Sequence, residues 1–155
     1  FADSLKFTTP KGKIVYGGGG IMPDTFIPAD TTDVTEWFVK VSGLNILYRY
    51  TLEYADRHRD KLNAVKSIDE LQALLDSDKR LVNDFILYSQ RKGVKPNYAQ
   101  IARSRKIVEA QLRAYIGRNT DLEDVGFYVN IYPIDENILQ SIEILNREIE
   151  STKQE

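Results

Sequence analysis

The sequence contains no cysteine and a single histidine, His58, among its 155 residues. The absence of cysteine excludes disulfide scaffolds, thiol catalysis and cysteine-ligated zinc. No uninterrupted apolar run approaches the roughly 18 residues that a membrane-spanning helix requires. The composition, 42% hydrophobic and 28% charged, is typical of a folded globular chain and excludes disordered and collagen-like classes. The chain suits one domain or a piece of a larger protein, and its start at Phe1 without a signal segment favours the second.

Charge is distributed unevenly along the chain, although the net charge is only −2. Residues 1–56, 57–118 and 119–155 carry net charges of −2, +7 and −7. The positive middle could be interpreted as a nucleic-acid surface, with Arg103, Arg105 and Lys106 on one predicted helix. Acidic residues are interspersed through that segment, and no nucleic-acid-binding motif accompanies it. We therefore expect basic helices that pack near the acidic C-terminal helix or are solvated, and no nucleic-acid partner.

The first 30 residues have a β-type pattern. Residues 5–8 and 13–16 alternate in β-favouring side chains, and Pro10 and Gly12 between them supply turn chemistry. This pattern predicts a β-hairpin, which alone is marginal in water, so we expect it to belong to a sheet whose other strands are missing here. Four glycines follow, Gly17 to Gly20, but Pro23 argues against the helix that a phosphate-binding loop would need. The glycine run is interpreted as a close backbone crossing or a positive-φ loop.

From residue 31 onward the apolar spacing becomes helical. Residues 125–132 are ambiguous, fitting either a short strand or an aromatic-rich loop. The last helix has an apolar stripe at i, i+4, i+7 and i+11, formed by Ile138, Ile142, Leu145 and Ile149. The predicted helices begin at Thr31, Thr32 or Asp33, near Leu44, at the Ser67–Glu70 capping box, at Asp78, at Asn97 and at Asp135. The predicted fold class is mainly α, with a β-hairpin and extended segment over 1–30 and a bundle of about six helices over 31–155.

Residues able to perform catalysis are sparse. His58 lies in a charged Asp-Arg-His-Arg-Asp stretch and is interpreted as a surface residue rather than a base or ligand. The carboxylates fall at helix starts, where the helix dipole accounts for them, so we predict no metal site and no cofactor. No Gly-x-Ser-x-Gly elbow occurs. The serines Ser42, Ser67, Ser89 and Ser104 all lie on predicted helices or their caps, so the nucleophile of a hydrolase is not predicted in this chain.

The glycine-rich segment and the hairpin before it resemble a known family. Residues 9–16, with Pro10, Gly12 and Lys13, are followed by Gly17, Gly18, Gly19, Gly20, Ile21, Pro23 and Asp24. This run is similar to a Pro-x-Gly-Arg hairpin and a Gly-x-Gly-Ile-x-Pro-Asp segment found in the C-terminal processing proteases, also called tail-specific proteases. Lys13 replaces the usual arginine. Residues 111–116 and 135–145 resemble, more loosely, the helical C-terminal region of the Bacteroidetes-type members.

The resemblance implies a periplasmic or envelope serine endopeptidase that has a PDZ domain and a Ser-Lys dyad and cleaves proteins at or near their C-termini. The serine motif of that family, Gly-x-x-Ser-Ala-x-Glu, is absent from these residues, so both catalytic residues are expected upstream of Phe1. The expected partners are the remainder of the protease chain, its protein substrates and further copies of itself. By this hypothesis the chain is a non-catalytic C-terminal region, over 1–30 the last strands of the core and over 31–155 a helical domain.

One alternative to the protease hypothesis stays open. A stand-alone helical adaptor would have its N-terminal hairpin buried against the helices. The aromatic content is high for one small helical core, so the aromatic residues either form an interface with a partner in part or all pack internally, and both interpretations stay open. The candidates for that interface are Trp37, Tyr50, Tyr115, Phe127 and Tyr128.

Overall fold

The chain folds mainly into α-helices, preceded by a small β-hairpin, as predicted. The computed structural model describes residues 6–10, 12, 14–17 and 25–152. The strands are β1 (Lys6–Thr8) and β2 (Ile14–Tyr16). The helices are α1 (Glu36–Gly43), α2 (Ile46–Arg57), α3 (Arg59–Ala64), α4 (Ile68–Ser77), α5 (Leu81–Arg91), α6 (Tyr98–Arg118), α7 (Glu123–Ile131) and α8 (Glu136–Thr152), with a one-turn 3-10 helix (Tyr132–Ile134) before α8.

The hairpin is antiparallel and turns through the predicted Pro-Gly segment. The Gly12 N–H donates to the Thr9 carbonyl at 2.8 Å, and Gly12 has φ +80°, a conformation that favours glycine. Phe7 lies opposite Val15 in the register of β1 and β2. The turn is therefore the part of the hairpin that its residue types predict most specifically.

Three helix starts carry the side-chain caps that the sequence indicates. Ser67 accepts a hydrogen bond from the Glu70 N–H at 3.2 Å, and Asn97 accepts one from the Gln100 N–H at the same distance. Asp135 accepts from the Asn137 N–H at 3.1 Å, so it caps α8. These bonds satisfy N–H groups that a helix leaves without intrahelical partners.

Two caps differ from the prediction. Thr35, rather than a residue at 31–33, caps α1, because its hydroxyl accepts the Phe38 N–H and is itself buried against Ser104 on α6. Asp78 does not occupy the cap position of α5, which Arg80 holds without a side-chain bond. The Asp78 carboxylate instead accepts the Arg80 N–H at 3.0 Å and orders the turn between α4 and α5.

The long helix α6 lies at the centre of the bundle and contacts α1, α2, α5 and α7. Phe85 of α5 is fully buried and meets the rings of Trp37 and Tyr50 at centroid distances of 5.9 and 5.4 Å. Leu112 and Ile116 of α6 are also fully buried. Among the described helices, none combines the length and apolarity needed to cross a membrane.

Helices α6 and α7 cross in close contact where two glycines meet. A Cβ atom added at Gly117 would lie 2.3 Å from the carbonyl oxygen of Gly126, and one added at Gly126 would lie 2.4 Å from that of Gly117. Asn130, which is buried in α7, donates to the Gly126 carbonyl at 2.9 Å and accepts from Gln72 of α4 at 3.1 Å. Backbone contact and a buried amide thus fix α7 on the bundle.

This crossing corrects the interpretation of residues 125–132. The segment forms most of α7 and continues into the 3-10 turn, rather than a strand or an aromatic loop. Its aromatic and β-branched residues favour strands, but the packing of Gly126 on Gly117 outweighs that local preference. The predicted second helix, from about Leu44 to Arg59, corresponds to α2, which ends at Arg57, and the further helix α3 follows directly after His58.

Candidate interaction surfaces

The structure describes three of the residues in the family-like N-terminal motif: Pro10, Gly12 and Gly17. The other seven, Lys13, Gly18, Gly19, Gly20, Ile21, Pro23 and Asp24, lie outside the described residues. Gly12 makes the hairpin turn, and Gly17 packs against the ring of Phe7, where an added Cβ would approach a ring carbon to 2.9 Å. The described part of the motif therefore has structural roles.

The hairpin presents apolar side chains on both of its faces. Phe7 and Val15 are paired across the strands and so share one face, whereas Ile14 points to the other. All three side chains are exposed. Among the described residues, the main contacts of each strand are with the other strand. A ribbon with apolar residues on both faces is typical of a sheet covered on both sides.

Two of the five predicted interface aromatics lie in the core. Trp37 is 2% exposed and Tyr50 is 3% exposed, which makes both unavailable to a partner. The reason is that α1 and α2 turn these rings toward Phe85 on α5. Sequence spacing places Trp37 on the apolar face of its helix, and the structure shows that both rings pack in the interior.

The other three candidates, Tyr115, Phe127 and Tyr128, belong to a continuous row of rings. Tyr115 contacts Phe127 at a centroid distance of 5.3 Å, and Phe127 contacts Tyr128 at 5.2 Å. The row extends to Tyr48 of α2 beyond Tyr115, at 5.4 Å, and to Tyr132 beyond Tyr128, at 5.1 Å. We call these five residues the aromatic row. Its ends, Tyr48 and Tyr132, and also Tyr128, are exposed.

The aromatic row crosses three helices, which is why the sequence does not group its members. Tyr128 and Tyr132 are four residues apart and share a helix face, so that part of the row has a local signal. Tyr48 joins only because α2 packs on α6. The Arg118 guanidinium lies 4.0 Å from the centroid of the Phe127 ring and is paired with Asp124, which adds a cation–π contact beside the row.

The second exposed apolar surface is the predicted stripe of α8. Ile142, Leu145 and Ile149 are 51%, 56% and 52% exposed, and Ile138 is half-buried. The main contacts of α8 among the described residues are with the 3-10 turn before it. The local prediction of an amphipathic helix is confirmed, whereas the bundle covers little of its apolar face.

A cleft of about 510 Å³ opens between the α2–α3 joint and the turn from α4 to α5. Tyr54 and His58 stack there at a centroid distance of 4.2 Å, and His58 Nδ1 lies 2.9 Å from the Tyr54 carbonyl oxygen. Because a carbonyl oxygen can only accept a hydrogen bond, His58 Nδ1 carries the proton in this contact. His58 is thus half-buried at a helix joint rather than fully on the surface.

The tyrosines of this cleft hold their protons strongly. Burial raises the pKa of Tyr50 to about 12, and the Asp84 carboxylate adds to the effect. Burial also raises the pKa of Tyr54 well above its usual range. The Asp78 carboxylate adds to this effect and accepts a hydrogen bond from the Tyr54 hydroxyl at 3.0 Å. Neither hydroxyl can therefore act as a general base near neutral pH, and both serve as hydrogen-bond donors.

Within the described ranges, no three carboxylate or imidazole side chains gather in a way that could hold a metal ion.

Ser104 donates to the Asp33 carbonyl at 2.6 Å and meets the Thr35 hydroxyl at 2.7 Å, which makes it a structural anchor between α6 and α1. The basic residues Arg103, Arg105 and Lys106 are exposed on α6, as expected for a solvated helix face.

A known protein family matches the central part of this chain. No curated protein and no solved structure matches this chain. The profile of one family, described as a family of unknown function (DUF8443), matches residues 37–120. That match covers more than half of the chain and runs from the start of α1 to the end of α6. The chain therefore belongs to this family of unknown function, DUF8443.

Proposed function

We propose that this chain is the non-catalytic C-terminal region of a periplasmic or envelope serine endopeptidase that processes protein C-termini. Its Ser-Lys dyad would lie upstream of Phe1. One observation carries the proposal, namely the exposed hairpin, which overlaps the first part of the family-like motif and has apolar side chains on both faces. A hairpin of this kind gains stability when further strands and covering layers are added to it.

The alternative of a stand-alone adaptor fits this observation less well. An adaptor would bury its N-terminal hairpin against its own helices, whereas Phe7, Ile14 and Val15 are exposed here. Phe26, in the extended segment that leads to α1, is 81% exposed, so the same pattern continues toward the bundle. These side chains would be covered if the hairpin completed the core sheet of a larger protein.

The described side chains also favour a non-catalytic role. A lysine that acts as general base requires a desolvated site, and every lysine that the structure describes is exposed. Ser104 and Ser89 both donate to backbone carbonyls, at 2.6 and 2.8 Å, so they serve in the packing of their helices. We therefore assign the helical region to supporting the catalytic part and its contacts with substrates or other copies.

The test begins with the reading frame upstream of Phe1. We expect a signal segment, then Gly-x-x-Ser-Ala-x-Glu, then a lysine some tens of residues later. The longer protein should trim the C-terminus of an unstructured substrate protein, and its serine-to-alanine variant should not. The 155-residue chain is the matched negative control and should show no hydrolysis. A start codon directly before Phe1, or hydrolysis by the 155-residue chain, would contradict the proposal.

Hydrogen exchange gives a second readout that does not depend on activity. The amides of β1 and β2 should exchange quickly in the 155-residue chain and become protected in the longer protein, because further strands would pair with them. The amides of α6 should be protected in both. Equal protection of the hairpin in the two proteins would remove the structural basis of the proposal.

A protein-interaction domain is the second candidate function, and the aromatic row favours it. Three of its five rings are exposed although they contact one another in series. Aromatic residues are enriched in protein interfaces. If the upstream reading frame lacks the serine motif, this function becomes the leading one.

A further inference from the structure

The apolar stripe of α8 has the spacing of a coiled-coil seam. Ile138, Ile142, Leu145 and Ile149 are separated by four, three and four residues, which corresponds to positions d, a, d and a of a heptad. Three of the four are more than half exposed. A helix surface that repeats in this way is suited to a second helix with the same repeat.

We propose that a second copy of this chain covers the stripe, with the two α8 helices antiparallel about a two-fold axis between residues 143 and 144. In this register Ile138 lies opposite Ile149 of the second copy, and Ile142 lies opposite Leu145 of the second copy. The four layers are then all aliphatic. The seam is therefore complementary to itself, as a two-fold interface requires.

The charges of α8 favour the antiparallel direction. The helix contains four glutamates and one arginine, and two of the glutamates, Glu148 and Glu150, lie near its C-terminal end. A parallel pair would place these carboxylates and two negative helix ends side by side. An antiparallel pair separates the two C-terminal sets of glutamates and places the two helix dipoles head to tail, which outweighs the approach of each set to Glu136 of the other copy.

The connection of α8 to the bundle favours the same direction. Each bundle joins its α8 at the N-terminal end, through the 3-10 turn. Antiparallel helices keep the two bundles at opposite ends of the pair, whereas parallel helices would crowd them together. The flanking positions are compatible as well, since Ser141 would face Glu148 of the second copy and Leu139 would face Asn146 of the second copy.

The seam is short, so the expected dimer depends on concentration. A 17-residue helix is about 25 Å long, and its four layers bury less surface than the roughly 800 Å² per partner of a standard interface. The inference is independent of the proposed protease function, because it concerns the association of this chain with itself.

The first experiment is sedimentation equilibrium of the purified chain over a range of concentrations. We expect a monomer–dimer equilibrium, and we expect Leu145→Glu to raise the dissociation constant about a hundredfold. The matched control is Gln140→Glu, which adds the same charge on the opposite side of α8 and should leave the dissociation constant within about threefold. A strictly monomeric wild-type chain, or equal effects of the two variants, would overturn the proposal.

The second experiment uses the absence of cysteine to test direction. In the proposed register residue 138 of one copy is 11 residues from residue 138 of the other, or about 16 Å along the helix, which is too far for a disulfide. Ile138→Cys and Ile149→Cys should therefore each fail to cross-link alone under mild oxidation and should cross-link efficiently when mixed. Self-cross-linking of Ile138→Cys would indicate a parallel pair and overturn the proposal, as would a dimer without any cross-link between these positions.

Discussion

Helices α4 and α8 carry similar apolar stripes and differ almost completely in burial. In α4, Leu71 and Leu75 are at most 2% exposed. In α8, Leu145 and Ile149 are 56% and 52% exposed. Both helices are capped by a side chain at their first turn, Ser67 for α4 and Asp135 for α8.

The difference shows which part of an amphipathic pattern is local. Apolar spacing and a cap fix that a helix forms and which side of it is apolar. What covers that side is decided by the other elements, and α4 has α7 against it whereas the main contacts of α8 are with the 3-10 turn before it. An exposed apolar stripe on a stable helix thus indicates a surface that binds a partner.

Truncation of one leucine in each stripe tests the difference in burial between α4 and α8. Leu71→Ala should lower the free energy of unfolding by about 3 kcal/mol, because it opens a cavity in a closed core. Leu145→Ala should change it by less than about 0.5 kcal/mol in the monomer, since little is packed on that side chain. Urea unfolding at low protein concentration measures both. Comparable losses for the two variants would mean that the bundle buries α8.

The glycine crossing offers a second large effect. Gly117→Ala should cost about 2–3 kcal/mol, because the added methyl group meets the backbone carbonyl of Gly126 at 2.3 Å and the backbone cannot move aside easily. Gly43→Ala is the control, since nothing lies within 4 Å of a Cβ at that position. Circular dichroism melts compare the two. A harmless Gly117→Ala would show that α7 is not held by this contact.

Much of the fold follows from local sequence signals. Asn97 and the long apolar period after it predict α6, and Asp135 with its stripe predicts α8. Helix α7 cannot be predicted from local signals, because the role of Gly126 depends on its contact with Gly117 of α6. No residue spacing within 125–132 indicates that contact.

The candidate surfaces were predictable to a smaller extent. Among the five aromatic residues that the sequence suggests for an interface, Trp37 and Tyr50 are buried by α5. Periodicity reports the apolar side of each helix and does not separate a core contact from a surface row that several helices build together. That separation requires the packing of α2 and α7 on α6.

Alkaline pH should distinguish a buried tyrosine from an exposed one through the free energy of unfolding. Burial raises the pKa of Tyr50 to about 12, whereas a tyrosine in the unfolded chain titrates near 10. The stabilisation from this group is complete below pH 10 and is lost as the pH rises from about 10 through about 12, because the unfolded chain releases the proton first.

We therefore expect the free energy of unfolding to fall across that pH window, by about 2 kcal/mol for Tyr50 alone. Tyr50→Phe should make the decline shallower, because it removes the buried hydroxyl that titrates. Tyr98→Phe, at a side chain that is 72% exposed, is the matched control and should leave the slope unchanged. Urea unfolding at a series of pH values measures the slope, and equal slopes for wild type and Tyr50→Phe would contradict this account.

The smallest effects test whether equal caps have unequal consequences. Ser67→Ala should cost about 1 kcal/mol of global stability, because α4 unfolds only together with the core. Asp135→Ala removes the same kind of bond from α8 but should change global stability by less than about 0.5 kcal/mol. Its effect should instead be local, with amide exchange in α8 becoming about fivefold faster while exchange in α6 stays constant. If exchange in α6 accelerates equally, α8 and the bundle unfold as one unit. The two stripes would then differ in side-chain exposure although α8 does not unfold independently of the bundle.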